Sequence, residues 1–200
     1  DPALDTGVLI GAGTDIREYV TINRSINAGS CPTVGANCFL MAATHVAHDC
    51  ALDDHVVMAN GALLAGHVSV GEHSFLGGVA AVHQFCRIGE SVMVAGHAAI
   101  TRDVPHFVMV AERDDVIGFN AVGLKRRGFG RATIAELKAA YHAVYFTPGN
   151  IRDVAAQQLK AGAFETAEAR RFLEFFAGGK RSFARPRRVE GGEHDGAQGE

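Results

Sequence analysis

A six-residue beat runs through the first half of the chain. Counting every sixth residue from Ile10 gives Ile16, Ile22, Ala28, Val34, Leu40 and so on to Ile100. Fifteen of these sixteen positions hold a large aliphatic side chain or methionine, and the sixteenth is Ala28. The residue after each is usually small or turn-prone, as at Gly11, Gly35, Gly71 and Gly89. The residue two places before it is mostly small or β-branched, as at Thr14, Cys38, Ala62 and Ser74. A helix repeats about every 3.6 residues and a half-buried strand about every 2, so neither produces this period. A β-solenoid does. Three short strands make a coil of eighteen residues, one aliphatic per strand points inward, and coils stack at about 4.8 Å.

Composition divides near residue 105. Residues 1–105 carry four Arg, no Lys and ten acids; residues 106–188 carry fifteen Lys or Arg against eight acids. Eleven of the fifteen aromatics follow residue 105, and eight of the ten histidines lie from His45 to His106. This predicts a mainly β chain: a solenoid over 8–105, a connecting segment over 106–118, a C-terminal helical domain over 119–186 and a disordered tail over 187–200. In the helical part, Thr133 and Glu136 form a capping box that opens a helix to about Phe146. Asn150 caps a second helix to about Lys160, and a third runs from Thr166 to about Ala177. The net charge of −3 argues against a nucleic-acid binder. No run approaches the eighteen or so apolar residues of a membrane span, and the first apolar stretch, short and without a basic flank, is not expected to be a signal peptide. Four cysteines are too few for a disulfide scaffold, so a cytoplasmic setting is expected. The chain starts at Asp1 rather than Met with the repeat under way by Val8, which leads us to expect a fragment or a processed form.

Eighteen-residue coils allow neighbours to be read off. VAHDCA (46–51), LAGHVS (64–69) and VHQFCR (82–87) stack on one another. Their third positions make a column of His48, Gly66 and Gln84, and their fourth positions one of Asp49, His67 and Phe85. His45 and His83 flank these columns. An imidazole beside a carboxylate is what general-base catalysis near pH 7 needs. His55, His73 and His106 read as surface residues, and Cys38, Cys50 and Cys86 as packing residues. Cys50 and Cys86 are two coils apart, too far for a disulfide. Lys125, Arg126 and Arg127, together with Lys180, Arg181, Arg185, Arg187 and Arg188, form positive patches suited to steering an acidic partner.

The repeat resembles the hexapeptide-repeat proteins, whose fold is a left-handed parallel β-helix and most of whose enzymes are acyltransferases. Within them, IREYVTINR (16–24), HVAHDC (45–50), LAGHVSVG (64–71), AVHQFCRIG (81–89), DVPHFV (103–108) and GLKRRGF (123–129) resemble the UDP-N-acetylglucosamine O-acyltransferases of lipid A biosynthesis. The resemblance extends over nearly everything from about residue 8 to 188. It implies a homotrimer with active sites between neighbouring solenoids. It implies transfer of a 3-hydroxyacyl chain from the phosphopantetheine arm of acyl carrier protein to the glucosamine 3-hydroxyl of UDP-N-acetylglucosamine. Carried over by motif, His48 is the general base, Asp49 orients it, and the Gly66 N–H stabilises the oxyanion. His45, His67, His83 and Gln84 contact the sugar nucleotide or thioester arm. Asn120, Arg126 and Arg127 face the diphosphate and phosphopantetheine, and Gly96 lies at the acyl-chain ruler, where the missing side chain suggests a longer chain. No metal or other cofactor is required.

The chain departs from that family in two respects. About four N-terminal coils, and a loop whose Asp and Lys help hold the nucleotide, have no counterpart before Asp1. Val122 stands where the family often has an acid, which leaves the choice between a 3-hydroxyl and a 3-amino acceptor open. Two other readings compete. One is a zinc enzyme resembling the γ-class carbonic anhydrases, with ligands from among His45, His48, His67, His83 and His97. The other is a catalytically silent solenoid that serves as a scaffold or docks acyl carrier protein.

Overall fold

The computed structural model describes residues 5–187. The chain coils into a three-faced prism of two-residue parallel strands, followed by helices. Face 1 is built from Leu9–Ile10, Thr33–Val34, Ala51–Leu52, Ser69–Val70 and Arg87–Ile88. Face 2 is built from Asp15–Ile16, Phe39–Leu40, Val57–Met58, Phe75–Leu76 and Met93–Val94. Face 3 is built from Thr21–Ile22, His45–Val46, Leu63–Leu64, Ala81–Val82 and Ala99–Ile100. The second residue of each strand points inward, and Leu40, Val46, Met58, Leu64, Leu76 and Val94 are fully buried. Small residues let the coils close: a Cβ on Gly77 or Gly89 would lie 2.4 Å from the backbone of the next coil.

From Thr33 to Ile100 strand partners are eighteen residues apart, as in Ala51↔Ser69 and Val57↔Phe75, and the closing coil shortens to sixteen at Met93↔Met109. The first coil differs, because Leu9 pairs with Thr33, Asp15 with Phe39 and Thr21 with His45, each twenty-four residues on. Six extra residues therefore bulge out between Ile22 and Thr33. The expected inward strand at Ala28 does not form; Ala28 sits exposed in this bulge. The one small residue in the aliphatic series marks the interruption.

At every sixth residue the corner backbone turns with φ near +60°, at Asn37, Ala43, Asp49, His55, His67, His73, Val79, Phe85, Ser91 and His97, with Gly13 and Gly61 in the same register. Asn, Asp and His enter this left-handed region more readily than most residues.

Face 2 continues through Val108–Ala111, its antiparallel partner Asp115–Phe119, and Arg185–Pro186. Four helices follow the hairpin: α1 (Ala121–Arg126), α2 (Arg131–Phe146), α3 (Ile151–Ala161) and α4 (Ala167–Glu174), the last running into a 3₁₀ turn at Phe175–Ala177. Leu124, Leu137, Phe172, Leu173 and Phe176 form their buried core. The Asn150 and Thr166 side chains cap α3 and α4 as expected. The capping box at Thr133–Glu136 does not form. α2 starts at Arg131 behind Gly130, and Glu136 instead accepts from the Glu165 and Thr166 N–H groups at the start of α4. α1, which the sequence reading did not anticipate, is capped by Asn120, whose Oδ1 accepts from Gly123 N at 3.1 Å. The expected tail lies almost entirely outside the described residues, as does Arg188. Among the described residues, no helix is long and apolar enough to cross a membrane.

Candidate active site

The corner between faces 3 and 1 carries both predicted columns. His48 and Gly66 are successive rungs, and the Gly66 Cα approaches the imidazole so closely that a Cβ would fall 2.7 Å from Nε2 and 2.6 Å from Cε1. Gly66 therefore gives the His48 ring its space. His48 Nδ1 lies 2.9 Å from Asp49 Oδ2. That contact leaves Nε2 free to act as the base. The Gly66 N–H is engaged by no acceptor among the described residues, while its neighbour His67 donates to the His48 carbonyl.

The Asp49 side chain is only 7% exposed and His48 31%. Burial pushes the Asp49 carboxyl up, but hydrogen bonds from Ser25, His48 and the Ile26 backbone, with the neighbouring His67, outweigh it and hold the group below the usual carboxylate value. The carboxylate is thus ionised at neutral pH and can balance an imidazolium. His67 reaches Asp49 Oδ2 at 3.9 Å, stands edge-on to His48 at 5.1 Å between ring centroids, and stacks on Phe85 at 4.6 Å. Lys180 from the C-terminal segment lies 5.2 Å over the Phe85 ring.

The other predicted residues divide among places. His45 Nδ1 is 2.7 Å from Thr21 Oγ1. His83 Nδ1 is 2.8 Å from Arg181 Nη2, and the Gln84 side chain is exposed beside it. Asn120, Arg126 and Arg127 sit along the corner between faces 1 and 2. Asn120 Nδ2 donates to the Ser91 carbonyl at 2.9 Å, Arg127 pairs with Glu90 at 3.3 Å and also bonds Ser91 Oγ, and Arg126 is exposed. Gly96 is exposed on the third corner, between faces 2 and 3. One chain therefore gathers His48, Asp49, Gly66, His67 and Gln84 and does not gather Asn120, Arg126, Arg127 or Gly96 with them.

Sequence reasoning missed the bulge that closes over Asp49. Ser25 and Asn27 reach the carboxylate from six residues that broke the repeat, and the Ala28 exception was the available signal. Beside the bulge, a cavity of about 560 Å³ is lined by Ile22, Asn23, Arg24, Ser25, Ile26 and His48. His106 is not the surface residue expected, since it packs half-buried against Phe175.

His48, Asp49 and His67 offer three ligand atoms within 4.8 Å of one another, and so do His55, Glu72 and His73. Of the five histidines weighed for a zinc site, His48 and His67 fall in such a group. His45, His83 and His97 do not, among the described residues. The buried cysteines are inert packing groups: burial pushes the Cys50 thiol up to about 11 and Cys86 up to about 12.

Residues 103–184 match the family model described as UDP-N-acetylglucosamine O-acyltransferase, domain 2. The chain is 42% identical over 154 residues to the acyl-[acyl-carrier-protein]–UDP-N-acetylglucosamine O-acyltransferase of Campylobacter concisus, covering 76% of this chain and 58% of that relative. It is 41% identical over 182 residues to the enzyme of the same name from Alkalilimnicola ehrlichii, covering 90% of this chain and 70% of the relative. Among solved structures, the UDP-N-acetylglucosamine acyltransferase from Campylobacter jejuni superposes with a TM-score of 0.86 at 32% identity, over 94% of this chain and 73% of that one. Some of these relatives thus extend well beyond the length that this chain spans.

Proposed function

The chain belongs to the UDP-N-acetylglucosamine O-acyltransferases, hexapeptide-repeat proteins with a left-handed parallel β-helix, and on that premise we propose that it transfers a 3-hydroxyacyl group from acyl carrier protein to the glucosamine 3-hydroxyl of UDP-N-acetylglucosamine in the cytoplasm. The observation that carries this reading is the His48–Asp49 contact at 2.9 Å over the bare Cα of Gly66.

The chemistry follows from those atoms. With Nδ1–H donated to Asp49, His48 Nε2 takes the proton of the sugar hydroxyl as its oxygen attacks the thioester carbonyl. The carbonyl oxygen becomes an oxyanion, and the unengaged Gly66 N–H is the donor aimed at it. When the intermediate collapses, the C–S bond breaks and the phosphopantetheine thiolate takes the proton back from the imidazolium. The ester forms and the base is restored. A positioned base contributes about 10²–10⁴-fold, and one oxyanion donor about 10²–10³-fold. His67, His45, His83 and Gln84 line the approach to this centre, and Gly96 leaves room for the far end of the acyl chain. No step needs a metal or other cofactor.

We also propose a homotrimer, because the site is incomplete in one chain. Beyond Asp15 the outward side chains of face 2 are apolar, including Phe75 (37% exposed) and Met93 (42%), and face 3 presents Leu63 (43%) beside Ala81 and Ala99. The corner between them is small: Gly61, Gly78 and Gly96 lie along it. Face 1 presents Thr33, Ser69 and Arg87 with Leu9 and Ala51, and its Arg87 end is covered by the 3₁₀ turn after α4. Packing three copies with the small corner inward sets face 3 of one against face 2 of the next. The corner bearing His48 then meets the neighbour's corner bearing Asn120, Arg126 and Arg127, whose guanidinium forks suit phosphate.

The direct test incubates the chain with 3-hydroxyacyl carrier protein and UDP-N-acetylglucosamine and reads the nucleotide by mass spectrometry. We expect a product heavier by one hydroxyacyl group, absent with His48→Ala and insensitive to chelators. Ligand binding by a trimer with no turnover would favour the silent scaffold. Activity abolished by chelation and restored by zinc would favour the metal reading.

A further inference from the structure

The six-residue bulge in the first coil has a single buried member. Arg24, Ile26, Asn27, Ala28 and Gly29 are exposed, whereas Ser25 is 3% exposed. A buried hydroxyl needs partners, and those of Ser25 are specific. Its Oγ donates to Asp49 Oδ1 and accepts from the Asn27 N–H at 2.9 Å. Asn27 Nδ2 comes to 3.4 Å of Asp49 Oδ2, and Ser30 Oγ to 3.5 Å of Oδ1.

The consequence is a division of labour between the two carboxylate oxygens. Oδ1 is taken by Ser25, and Oδ2, which Asn27 approaches from the side, faces His48 Nδ1 at 2.9 Å. Without that clamp the Asp49 side chain could rotate about its last bond and leave the imidazole undirected. The coil register sets Ser25 against Asp49, as Thr21 pairs with His45, and the extra residues that follow bring Asn27 to the same carboxylate.

We propose that Ser25 is a positioning residue for acyl transfer: by holding Asp49 Oδ1 it aims Oδ2 at His48 and fixes the ring in the tautomer whose Nε2 is the base. This rests on the reading of His48 as general base, so one arm of the test does not depend on turnover. In that arm, ¹⁵N NMR of the ring, assigned by difference from His48→Ala, reports the tautomer. We expect an Nδ1–H ring in the wild type, a tautomer mixture in Ser25→Ala, and restoration in Ser25→Thr, which keeps the hydroxyl.

In the kinetic arm, Ser25→Ala should lose about 10–100-fold in kcat, as when a partner that orients a metal-ligating His is removed, with KM for both substrates unchanged. Ser25→Thr should recover most of kcat. Three results would overturn the proposal: a wild-type tautomer in Ser25→Ala; wild-type kcat in that variant; or equal losses in the Ala and Thr variants with the ring still Nδ1-protonated, which would mark Ser25 as structural only. A wild type without turnover would count against the acyl-transfer reading, and the tautomer arm would still decide whether Ser25 directs the ring.

Discussion

His106 lies between the solenoid and the 3₁₀ turn, where its Nδ1 accepts the Glu90 N–H at 2.7 Å and its ring stands edge-on to Phe175. Burial pushes its pKa down from 6.5 to about 4, and the Arg171 and Arg87 charges push the same way. Between those values the unfolded chain binds a proton that the folded chain does not, so folding stability rises with pH across the window. The contribution is complete above about pH 6.5, is lost progressively as pH falls towards 4, and amounts to about 3 kcal/mol. Urea midpoints between pH 4 and 7 should therefore slope upward in the wild type. In His106→Gln, which keeps an acceptor without a titrating ring, that part of the slope should vanish; an unchanged slope would show that other groups carry it. His106 looked like a surface residue because a lone histidine on a solenoid is usually exposed, and nothing local announced that Phe175, sixty-nine residues on, would cover it. His55, His67, His73 and His97 are legible for the opposite reason, since all four occupy the left-handed corner position and period alone fixes where they stand.

The solenoid meets the helices through shared apolar packing and through charged contacts at Glu90 and Arg87, and the Arg87 contact is the more deeply buried. Asp103 has a fully buried side chain; it accepts from Arg87 N at 2.9 Å and Arg87 Nε at 2.8 Å. The same guanidinium donates to the Phe175 and Gly178 carbonyls, each at 3.0 Å, and its carbon lies 4.2 Å over the Phe175 ring. Removing Arg87 leaves a buried carboxylate without its counter-charge and the Phe175 carbonyl without its side-chain donor, while Arg152 still serves Gly178; breaking a buried pair in this way costs about 3–5 kcal/mol. We expect Arg87→Ala to lower the urea midpoint accordingly and Arg87→Lys to recover only part, because an ammonium cannot serve carboxylate and carbonyls as a fork does. Native-like midpoints in both variants would contradict this. The helix starts at Asn150 and Thr166 were readable because each side chain binds its own first turn. The box at Thr133–Glu136 misled because Glu136 had two better donors at the start of α4, which only the tertiary structure brings near.

Three corners of one prism carry the residues of one proposed site, and that separation has a consequence at the level of the assembly. The repeat made the solenoid, its inward residues and the His48 column legible, because spacing along the chain becomes height along the prism. It could not say that Arg126 and His48 lie on different corners, since the helices that follow the solenoid have no period to place them. In the proposed trimer each site takes His48 from one chain and Arg126 from the next. A chain carrying His48→Ala still offers its neighbour an intact Arg126, and a chain carrying Arg126→Ala still offers an intact His48. Each homogeneous variant should therefore be impaired. Equal mixtures, co-expressed or reassembled from subunits, should regain activity, because about a quarter of the interfaces combine two intact halves. Phe75→Glu or Met93→Glu, which places charge on the exposed apolar stripe of face 2, should abolish both assembly and recovery, with the change in mass read by light scattering. Mixtures no more active than their components, from chains shown to assemble together, would mean that the basic corner and the imidazole serve the same chain or different tasks.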